Sequence, residues 1–281
     1  MPSKIERIDI VTKMGDRAAG ELGSEIAAWL GARGVSAQVW EHRQDSVGSA
    51  VQDPGRPDMV LVLGGDGTLL SVARKYMPTG IPLLGINVGH LGFLAKADVG
   101  DWPLRLEKLL EKGLDVEERL ALNWQVLREG RVVHQNTAIN DVVVSRGPMA
   151  RLIRLRLFCE GELVAALRAD GVIVSSPTGS TAYSISAGGA ILHPALDAMG
   201  VTSICAFMGN LRSMVIPASV AMDILVEEVW GEVFLTEDGQ QGQRLVAGDL
   251  VRVTKAKQGL RLVHLDGAGF FATLQDKGFT R

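Results

Sequence analysis

The chain has 281 residues with 47% hydrophobic side chains, which gives it room for two globular domains, each with its own core. A formal net charge of −3 without a basic tail argues against a nucleic-acid partner, and neither a signal-peptide core nor a membrane span of roughly 20 apolar residues occurs, so we expect a cytoplasmic protein without membrane contact. Two distant cysteines and five histidines without metal-ligand spacing predict reduced thiols and no metal site formed by the protein itself.

Residues 1–118 alternate strand-like and helix-like patterns. An alternating run over residues 4–13 predicts a strand, and apolar residues at helical spacing over residues 18–30 predict a helix. The runs "VSAQVWEH", "DMVLVL" and "IPLLGINVG" predict further strands, and the last two are continuously apolar, as strands covered on both faces of a parallel sheet are. With a helix over residues 102–112, the segment predicts an α/β domain with a doubly wound, parallel-type sheet.

From residue 119 the pattern changes to alternating runs broken by Glu-Gly, which predicts successive hairpins. The pattern begins with "LNWQVLREGRVVHQ" and "RLRLFCEGELVAALRAD", and it continues through "MDILVEEVWGEVFLTEDGQQ" and "AGDLVRVTKAKQGLRLVHL". We therefore predict that residues 119–265 form a mostly antiparallel, β-sandwich-like domain. Residues 266–281 form a tail that could pack back on the first domain.

A glycine-rich turn, Gly64-Gly65-Asp66-Gly67-Thr68, lies between a predicted strand and a predicted helix. Glycines allow the backbone to approach a ligand closely, so the amide groups of such a turn can bind phosphate. A plain turn with Asp66 or Thr68 as the helix N-cap fits the same residues, and the spacing is neither that of a dinucleotide fingerprint nor that of a P-loop. A carboxylate beside phosphate would cap backbone, hold a divalent cation or accept a proton from an attacking hydroxyl.

A second cluster follows Asp170, which precedes a short predicted strand. Residues 177–183 then form a predicted helix entry, with Ser180 or Thr181 as the cap and Tyr183 as a flat aromatic face. A loop rich in Ser and Thr fits this segment equally well. The small residues that continue to Gly189 favour the close approach of a ligand.

Two shorter motifs complete the set. Asn140-Asp141 stands at the start of a β run, where the Asn could turn the chain or bind a nucleobase or sugar edge through its amide. Asp238-Gly239 predicts a hairpin turn.

The five motifs "GGDGTLL", "GINVGHLGFLA", "NDVVVSR", "DGVIVSSPTGSTAYSISAGGAILHP" and "EDGQQ", in this order and at these separations, closely resemble the NAD kinases of bacteria. The resemblance covers about residues 58–240, and it implies an NAD-binding second domain and a homodimer or homotetramer. It also implies transfer of the γ-phosphoryl group of ATP, or of another phosphoryl donor, to the 2′-hydroxyl of the adenosine ribose of NAD. A divalent metal ion, Mg²⁺, would accompany these small-molecule nucleotides.

The resemblance also implies roles for single residues. Asp66 resembles the catalytic acidic residue of the family, with Gly67 beside it in contact with nucleotide. Asn140 and Asp141 resemble the pair that holds ribose and adenine, although many members have Glu at the second position. The other residues placed around the nucleotides are Phe93 as an aromatic wall, Arg151 and Arg168 as flanking basic residues, Asp170 near the nicotinamide end, Thr181, Ala182, Tyr183, Ser184 and Ser186 on the adenosine side, Cys205 in the adenine pocket, and Gln240 of the Asp-Gly-Gln motif.

A ribose hydroxyl is a weak nucleophile near neutral pH, so Asp66 is predicted to be the general base, which would contribute about 10² to 10⁴ in rate. Two other functions compete with this prediction. A lipid kinase of the diacylglycerol or sphingosine type shares the Gly-Gly-Asp-Gly-Thr turn but is not expected to carry Pro-Thr-Gly-Ser-Thr-Ala-Tyr. A non-catalytic NAD-sensing module would use the same pocket, and the presence of Asp66 argues against it.

Overall fold

The structure of the protein is a computed structural model. The residues that it describes are 4–43, 56–89, 92–95, 97–148, 151–207, 211–264 and 269–279. His90 and Leu91 of the second motif, and residues 266–268, 280 and 281 of the predicted tail, therefore lie outside the described residues. In the described part of the chain, no helix is both long enough and apolar enough to cross a membrane.

The chain divides into two compact units, the first formed by Met1–Glu118 with Leu260–Arg281 and the second by Arg119–Gly259. The helices are α1 Arg17–Gly31, α2 Asp66–Tyr76, α3 Trp102–Lys112, α4 Tyr183–Ser186 and α5 Phe270–Asp276. The strands are β1 Arg7–Lys13, β2 Ser36–His42, β3 Met59–Leu63, β4 Leu83–Asn87, β5 Ala97–Asp98, β6 Val116–Arg119, β7 Leu122–Arg128, β8 Arg131–Ala138, β9 Asp141–Arg146, β10 Ile153–Cys159, β11 Glu162–Ala169, β12 Gly171–Ser175, β13 Ala198–Ile204, β14 Met214–Pro217, β15 Met222–Glu228, β16 Val233–Glu237, β17 Gln241–Leu245, β18 Leu250–Lys255 and β19 Leu260–Val263.

The first unit is a sheet with helices on both faces. Over the described residues the strand order is β2-β1-β3-β4-β19-β6, with β5 beside β4, and the pairs β1–β2, β1–β3 and β3–β4 are parallel. Ile26 of α1 and Leu106 of α3 share one core with Leu61 of β3. Leu69 of α2 lies instead against Gly85 of β4, so helices cover both faces of β3 and β4, and every residue of these two strands is buried.

The second unit is a sandwich of two antiparallel sheets. One sheet has the order β11-β10-β15-β18-β7-β8 and the other has the order β14-β13-β12-β9-β16-β17 in the described residues. Their inner faces meet in a single apolar core, in which Trp124 and Leu155 from one sheet join Val144 and Val174 from the other. The predicted fold class, an α/β domain followed by antiparallel β-sheets, is confirmed.

Two of the predicted hairpins are wrong. β15 and β16 are consecutive in the chain but lie in different sheets, so residues 229–232 cross from one sheet to the other. β18 stays in the second unit, whereas β19 pairs in parallel with β4 of the first unit, with Leu262 opposite Leu83. The second unit ends at Gly259. The pairing of β19 could not be predicted, because alternation identifies a strand but does not select the strand with which it pairs.

Candidate active site

Asp66 is the first residue of α2 and follows β3 directly after the turn Gly64-Gly65. Ligands of open α/β sheets collect at this carboxyl edge. The N-cap of α2 is Gly65, whose backbone is extended, and α2 has no side-chain cap hydrogen bond. The interpretation of Asp66 or Thr68 as the N-cap is therefore wrong, and the Asp66 carboxylate serves another purpose.

The Asp66 carboxylate is bound by backbone amides of residues 93–95. Its Oδ2 accepts the N–H of Phe93 at 2.8 Å, and its Oδ1 accepts the N–H groups of Leu94 at 3.1 Å and Ala95 at 3.0 Å. A Cβ atom added to Gly92 would lie 2.0 Å from Oδ1, so this close approach requires glycine. The first two motifs therefore meet at one carboxylate, which remains half-buried rather than enclosed.

The ring of Phe93 packs against the C-terminal tail. Its centroid lies 6.4 Å from that of Phe270 and 5.8 Å from that of Phe279. Aromatic pairs at these distances stabilise the packing of the two segments to which the rings belong. The predicted aromatic wall is thus part of a cluster that joins the tail to the loop whose amides bind Asp66.

In the second unit, residues 139–141 pack against residues 176–179. The N–H of Ser176 donates to the carbonyl of Asn140 at 2.8 Å, and the hydroxyl of Ser176 donates to the carbonyl of Ile139 at 2.6 Å. A Cβ atom on Gly179 would lie 2.0 Å from the carbonyl oxygen of Asn140. The Asn-Asp motif and the Pro-Thr-Gly-Ser-Thr block therefore share one backbone junction.

Two polar atoms at this junction are buried without a hydrogen-bond partner in the described part of the chain, Oδ1 of Asn140 and Oγ1 of Thr178. Leaving a buried acceptor unsatisfied costs about 1–3 kcal/mol. A ligand that supplies the missing partner removes this cost, so a ligand with hydrogen-bonding groups would find partners in these two atoms.

Asp141 is 3% exposed. Burial, followed by the negative charge of Asp238, raises the pKa of Asp141 to about 7. The carboxylate of Asp238 accepts backbone N–H groups from residues 139–141. The sequence predicted only the hairpin turn at Asp238-Gly239, which is confirmed between β16 and β17. It did not identify the contacts of the Asp238 carboxylate.

Residues 178–186 form a 3₁₀ turn, Thr178–Thr181, followed by the short helix α4, and neither has a side-chain cap. The predicted cap at Ser180 or Thr181 is therefore wrong. The Ser180 hydroxyl donates to the carbonyl of Pro177 at 2.7 Å and accepts the N–H of Leu192 at 2.9 Å, so it holds the chain of the segment together.

The side chains that follow differ in exposure. Ser184 is 1% exposed, and its hydroxyl lies 3.4 Å from that of Thr202. Thr181 and Ala182 are half-buried, whereas Tyr183 and Ser186 are exposed. The aromatic face of Tyr183 is thus accessible to a ligand, while Ser184 supports the segment from inside.

Asp170, predicted to lie near the nicotinamide end, forms an ion pair with Arg146. The Nε atom of Arg146 lies 2.5 Å from Oδ1 of Asp170, and this contact raises the pKa of the guanidinium, with a smaller effect from nearby Cys205. Arg146 ends the motif "NDVVVSR", and its pairing with Asp170 was not predicted. Cys205 is exposed and Cys159 is half-buried, and both thiols are free.

Of the remaining predicted residues, Gly67, Arg151 and Arg168 are exposed and Gln240 is half-buried. The guanidinium of Arg168 lies 5.7 Å from the ring centroid of Phe207. Arg151 is exposed, and its N–H donates to the carbonyl of Trp230 at 3.3 Å. Gln240 directly follows the hairpin turn and donates its N–H to the carbonyl of Glu237 at 2.9 Å. Gly67 is exposed in the first turn of α2.

Among the described residues, no group of three or more His, Cys, Asp and Glu side chains is arranged to hold a metal ion. Three of the acceptor positions of Asp66 are taken by amides. In this described part of the chain, the donor set therefore does not fit a resident metal ion.

The comparisons with known proteins match both units. The description "ATP-NAD kinase N-terminal domain" applies to the family model that matches residues 40–114, and "ATP-NAD kinase C-terminal domain" to the model that matches residues 139–265. The chain belongs to the ATP-NAD kinase family. The family predicted from the five motifs is confirmed.

Curated relatives match over the full length. The NAD kinase of Nitratidesulfovibrio vulgaris strain Miyazaki F is 46% identical over 281 residues, which cover 100% of this chain and 99% of that protein. The NAD kinase of Acidobacterium capsulatum is 38% identical, with 97% of this chain and 98% of that protein covered. These relatives give no support to a lipid kinase or to a sensing module.

Solved structures agree in fold. Yeast NADH kinase complexed with NADH matches with a TM-score of 0.86 and 26% identity, over 99% of this chain and 89% of that one. The NAD kinase from Archaeoglobus fulgidus in complex with ATP matches with a TM-score of 0.73 and 23% identity, over 92% and 94% of the two chains, and this second likeness shows the fold alone.

Proposed function

We propose that the protein transfers the γ-phosphoryl group of ATP to the 2′-hydroxyl of the adenosine ribose of NAD, which gives NADP and ADP. The observation that supports the proposal best is the Asp66 carboxylate, held by three backbone amides at the carboxyl edge of the sheet in a chain of the ATP-NAD kinase family. The family and the curated relatives support the reaction, and the residue roles below are proposals.

Asp66 is the proposed general base, and its hydrogen bonds suggest which atom takes the proton. An ionised carboxylate offers about four acceptor positions. Amides occupy two positions on Oδ1 and one on Oδ2, which leaves one position on Oδ2 for the ribose hydroxyl. As the O2′ atom bonds to the γ-phosphorus, the bond to the β,γ-bridging oxygen breaks, ADP leaves, and the hydroxyl proton passes to Oδ2 of Asp66.

The second unit is the proposed site for the adenosine half of NAD. Oδ1 of Asn140 needs a hydrogen-bond donor, and a nucleoside carries hydroxyl and amino donors. Asp141 is proposed to bind the ribose beside it, and Tyr183 to cover the ligand with its exposed ring. Asp170, paired with Arg146, is proposed to lie at the nicotinamide end.

Further residues are proposed to line the nucleotides without a named step in the reaction. They are Gly67, Phe93, Arg151, Arg168, Thr181, Ala182, Ser184, Ser186, Cys205 and Gln240. Their support is the family match together with their place in the two motif blocks.

The divalent cation is proposed to enter with ATP as part of the substrate, because the described residues provide no cluster that could hold it. When bound to the phosphates it neutralises their charge. The identity of the phosphoryl donor, ATP or another, stays a prediction. The homodimer or homotetramer and the cytoplasmic location also stay predictions. Sedimentation of the purified protein tests the oligomer.

The proposal is tested by incubating the protein with NAD, ATP and Mg²⁺ and measuring NADP, with diacylglycerol as a parallel acceptor. We expect NADP from the wild type and no phosphorylated lipid. In Asp66→Asn, turnover should fall by about 10² to 10⁴, the contribution of a general base, while calorimetry finds NAD still bound.

The matched control is Asp58→Asn in the same unit. Asp58 also accepts two backbone amides, those of Glu6 and Arg7, but it lies outside the glycine turn, so turnover should be unchanged. Near-normal turnover of a folded Asp66→Asn protein would overturn the role of Asp66. A folded wild type that binds NAD but makes no NADP would favour the sensing module.

A further inference from the structure

Three of the described hairpin turns place an acidic residue before glycine in the same backbone conformation. The φ angles are 50° and 76° at Glu129-Gly130, 52° and 83° at Glu160-Gly161, and 49° and 63° at Asp238-Gly239. Positive φ at both central positions is the requirement of a tight two-residue hairpin turn. The backbone geometry alone therefore explains the glycine at each turn, but it does not explain the direction of the acid.

The third turn differs in where its carboxylate goes. Glu129 and Glu160 are exposed, whereas Asp238 is half-buried. Oδ1 of Asp238 accepts the N–H groups of Ile139 at 3.0 Å, Asn140 at 2.7 Å and Asp141 at 3.2 Å, and Oδ2 also lies 3.1 Å from the Ile139 nitrogen.

The hydrogen bonds run in both directions between the turn and this segment. The N–H of Asp238 donates to the carbonyl of Asp141 at 3.0 Å. On its other side the segment is held by Ser176, which donates to the carbonyls of Ile139 and Asn140. The backbone of residues 139–141 is thus bound from two directions, while Oδ1 of Asn140 keeps its acceptor position for a ligand.

We propose that Asp238 is a positioning residue for NAD: its carboxylate fixes the backbone of residues 139–141 so that the side chains of Asn140 and Asp141 are oriented toward the nucleoside. The inference rests on the proposed function. Asp238 itself needs no contact with substrate, since its carboxylate oxygens point at the protein's own amides.

This role carries an electrostatic cost that a purely structural turn would avoid. Asp238 is a second carboxylate beside buried Asp141 and helps to raise the pKa of that group. The adjacent Glu237 is also buried, with its carboxylate bound by Trp124 and Asn136. Three acids are therefore gathered at this end of β16, and the three amides bound by Asp238 offset the charge of Asp238.

The test compares two substitutions of Asp238 that both suit positive φ. Asp238→Gly keeps the turn and removes the carboxylate, whereas Asp238→Asn keeps the turn and an oxygen at the position of Oδ1. For Asp238→Gly we expect the KM for NAD to rise about tenfold, and the NAD dissociation constant from calorimetry to rise equally. A tenfold rise corresponds to the free energy of about one charge-assisted hydrogen bond. The KM for ATP should change less than about twofold, and Asp238→Asn should recover most of the NAD affinity.

The control is Glu160→Gly, which makes the same change at the corresponding position of the β10–β11 turn and should leave both KM values unchanged. Equal KM values for NAD in Asp238→Gly and the wild type would overturn the inference, as would a loss of affinity in Asp238→Asn equal to that in Asp238→Gly. If Asp238→Gly does not fold, Asp238→Ser, whose side chain is too short to bind all three amides, is measured with the same expected rise. Failure of the wild type to form NADP would instead contradict the proposed function, and NAD binding by the variants still tests the inference.

Discussion

Each of the two units contains a carboxylate that binds three consecutive backbone amides, and the roles proposed for the two carboxylates differ. Asp66 binds the amides of residues 93–95, and Asp238 binds those of residues 139–141. Among the described residues, Oδ2 of Asp66 accepts a single N–H and retains an acceptor position, which is the position proposed for the ribose hydroxyl. Asp238 directs its oxygens at residues whose side chains are the proposed ligand groups. A carboxylate–amide cluster therefore does not define a role by itself; the role depends on what the bound loop carries and on the acceptor positions left.

The comparison predicts that disturbing the Asp66 carboxylate and the amides that it binds affects turnover. In Gly92→Ala the new Cβ would lie 2.0 Å from Oδ1 of Asp66, and a side-chain carboxylate can move away while the fold persists. A displacement of about 1 Å at a reacting group costs about 10² in rate, so we expect kcat to fall about a hundredfold with little change in the KM for NAD.

The control for this substitution is Gly89→Ala, because, among the described residues, the nearest atom to a Cβ at that position is Oδ1 of Asn87, at an ordinary 3.7 Å. Its kcat should equal that of the wild type. If Gly92→Ala turned over normally, the fixed position of Asp66 would not matter for the reaction.

Disturbing the backbone of residues 139–141, which Asp238 binds, should affect NAD binding instead. In Gly179→Ala the Cβ would lie 2.0 Å from the carbonyl oxygen of Asn140 and 2.4 Å from its carbon, so backbone must move. We expect the KM for NAD to rise about tenfold, and we expect overpacking to lower the free energy of unfolding by about 1–3 kcal/mol.

Gly242→Ala in β17 serves as the control, since its Cβ would meet only ordinary contacts from 3.5 Å. Steady-state kinetics and urea denaturation report the two effects separately. A Gly179→Ala protein with a lower kcat and an unchanged KM for NAD would contradict the division of roles between the units.

The smallest expected effect is the pH dependence of stability due to Asp141. Its pKa is raised from 3.8 to about 7 in the folded protein, so the folded state binds more protons than the unfolded state between these values. The contribution of Asp141 to stability is therefore present at low pH and is lost as the pH rises through about 7, by about 1 kcal/mol between pH 6 and pH 7.

Urea denaturation of the wild type and of Asp141→Asn at pH 6 and pH 7 measures this contribution as a difference. The comparison removes the effect of His42, whose pKa is lowered by burial and by Lys75 and Arg74, and whose contribution is instead lost as the pH falls below about 6.5. Parallel pH profiles for the two proteins would show that Asp141 keeps its ordinary pKa.

Much of the fold could be predicted because periodicity reports burial. The apolar runs at β3 and β4 lie in the interior of the sheet, and α3 spans the predicted residues 102–112. The pairing of β19 with β4, and the crossing between β15 and β16, could not be predicted. Alternation of polar and apolar residues records which face of a strand is buried but carries no information about the neighbouring strand.

The candidate site shows the same limit. The sequence marked Asp66 and Asn140 as unusual residues, but it also allowed Asp66 to be a helix cap and Ser180 or Thr181 to be another. The structure assigns the N-cap to Gly65 and uses the Ser180 hydroxyl to join two parts of one segment. Arg146 and Asp238 both lie in motifs that the sequence marked, but the partners of their side chains could not be predicted, because an Arg at a strand end and an Asp before Gly are common in any β protein.

By itself, the sequence determined the family, the two kinds of domain and the residue types available for phosphoryl transfer, since these depend on local order and on motifs in series. Only the tertiary structure decided which groups each carboxylate binds. The amides bound by Asp66 lie 27 to 29 residues away along the chain, and those bound by Asp238 lie 97 to 99 residues away. Hydrogen bonds at such separations are set by how the strands and loops are brought together, so the position open on Oδ2 of Asp66 appears only once the chain is folded.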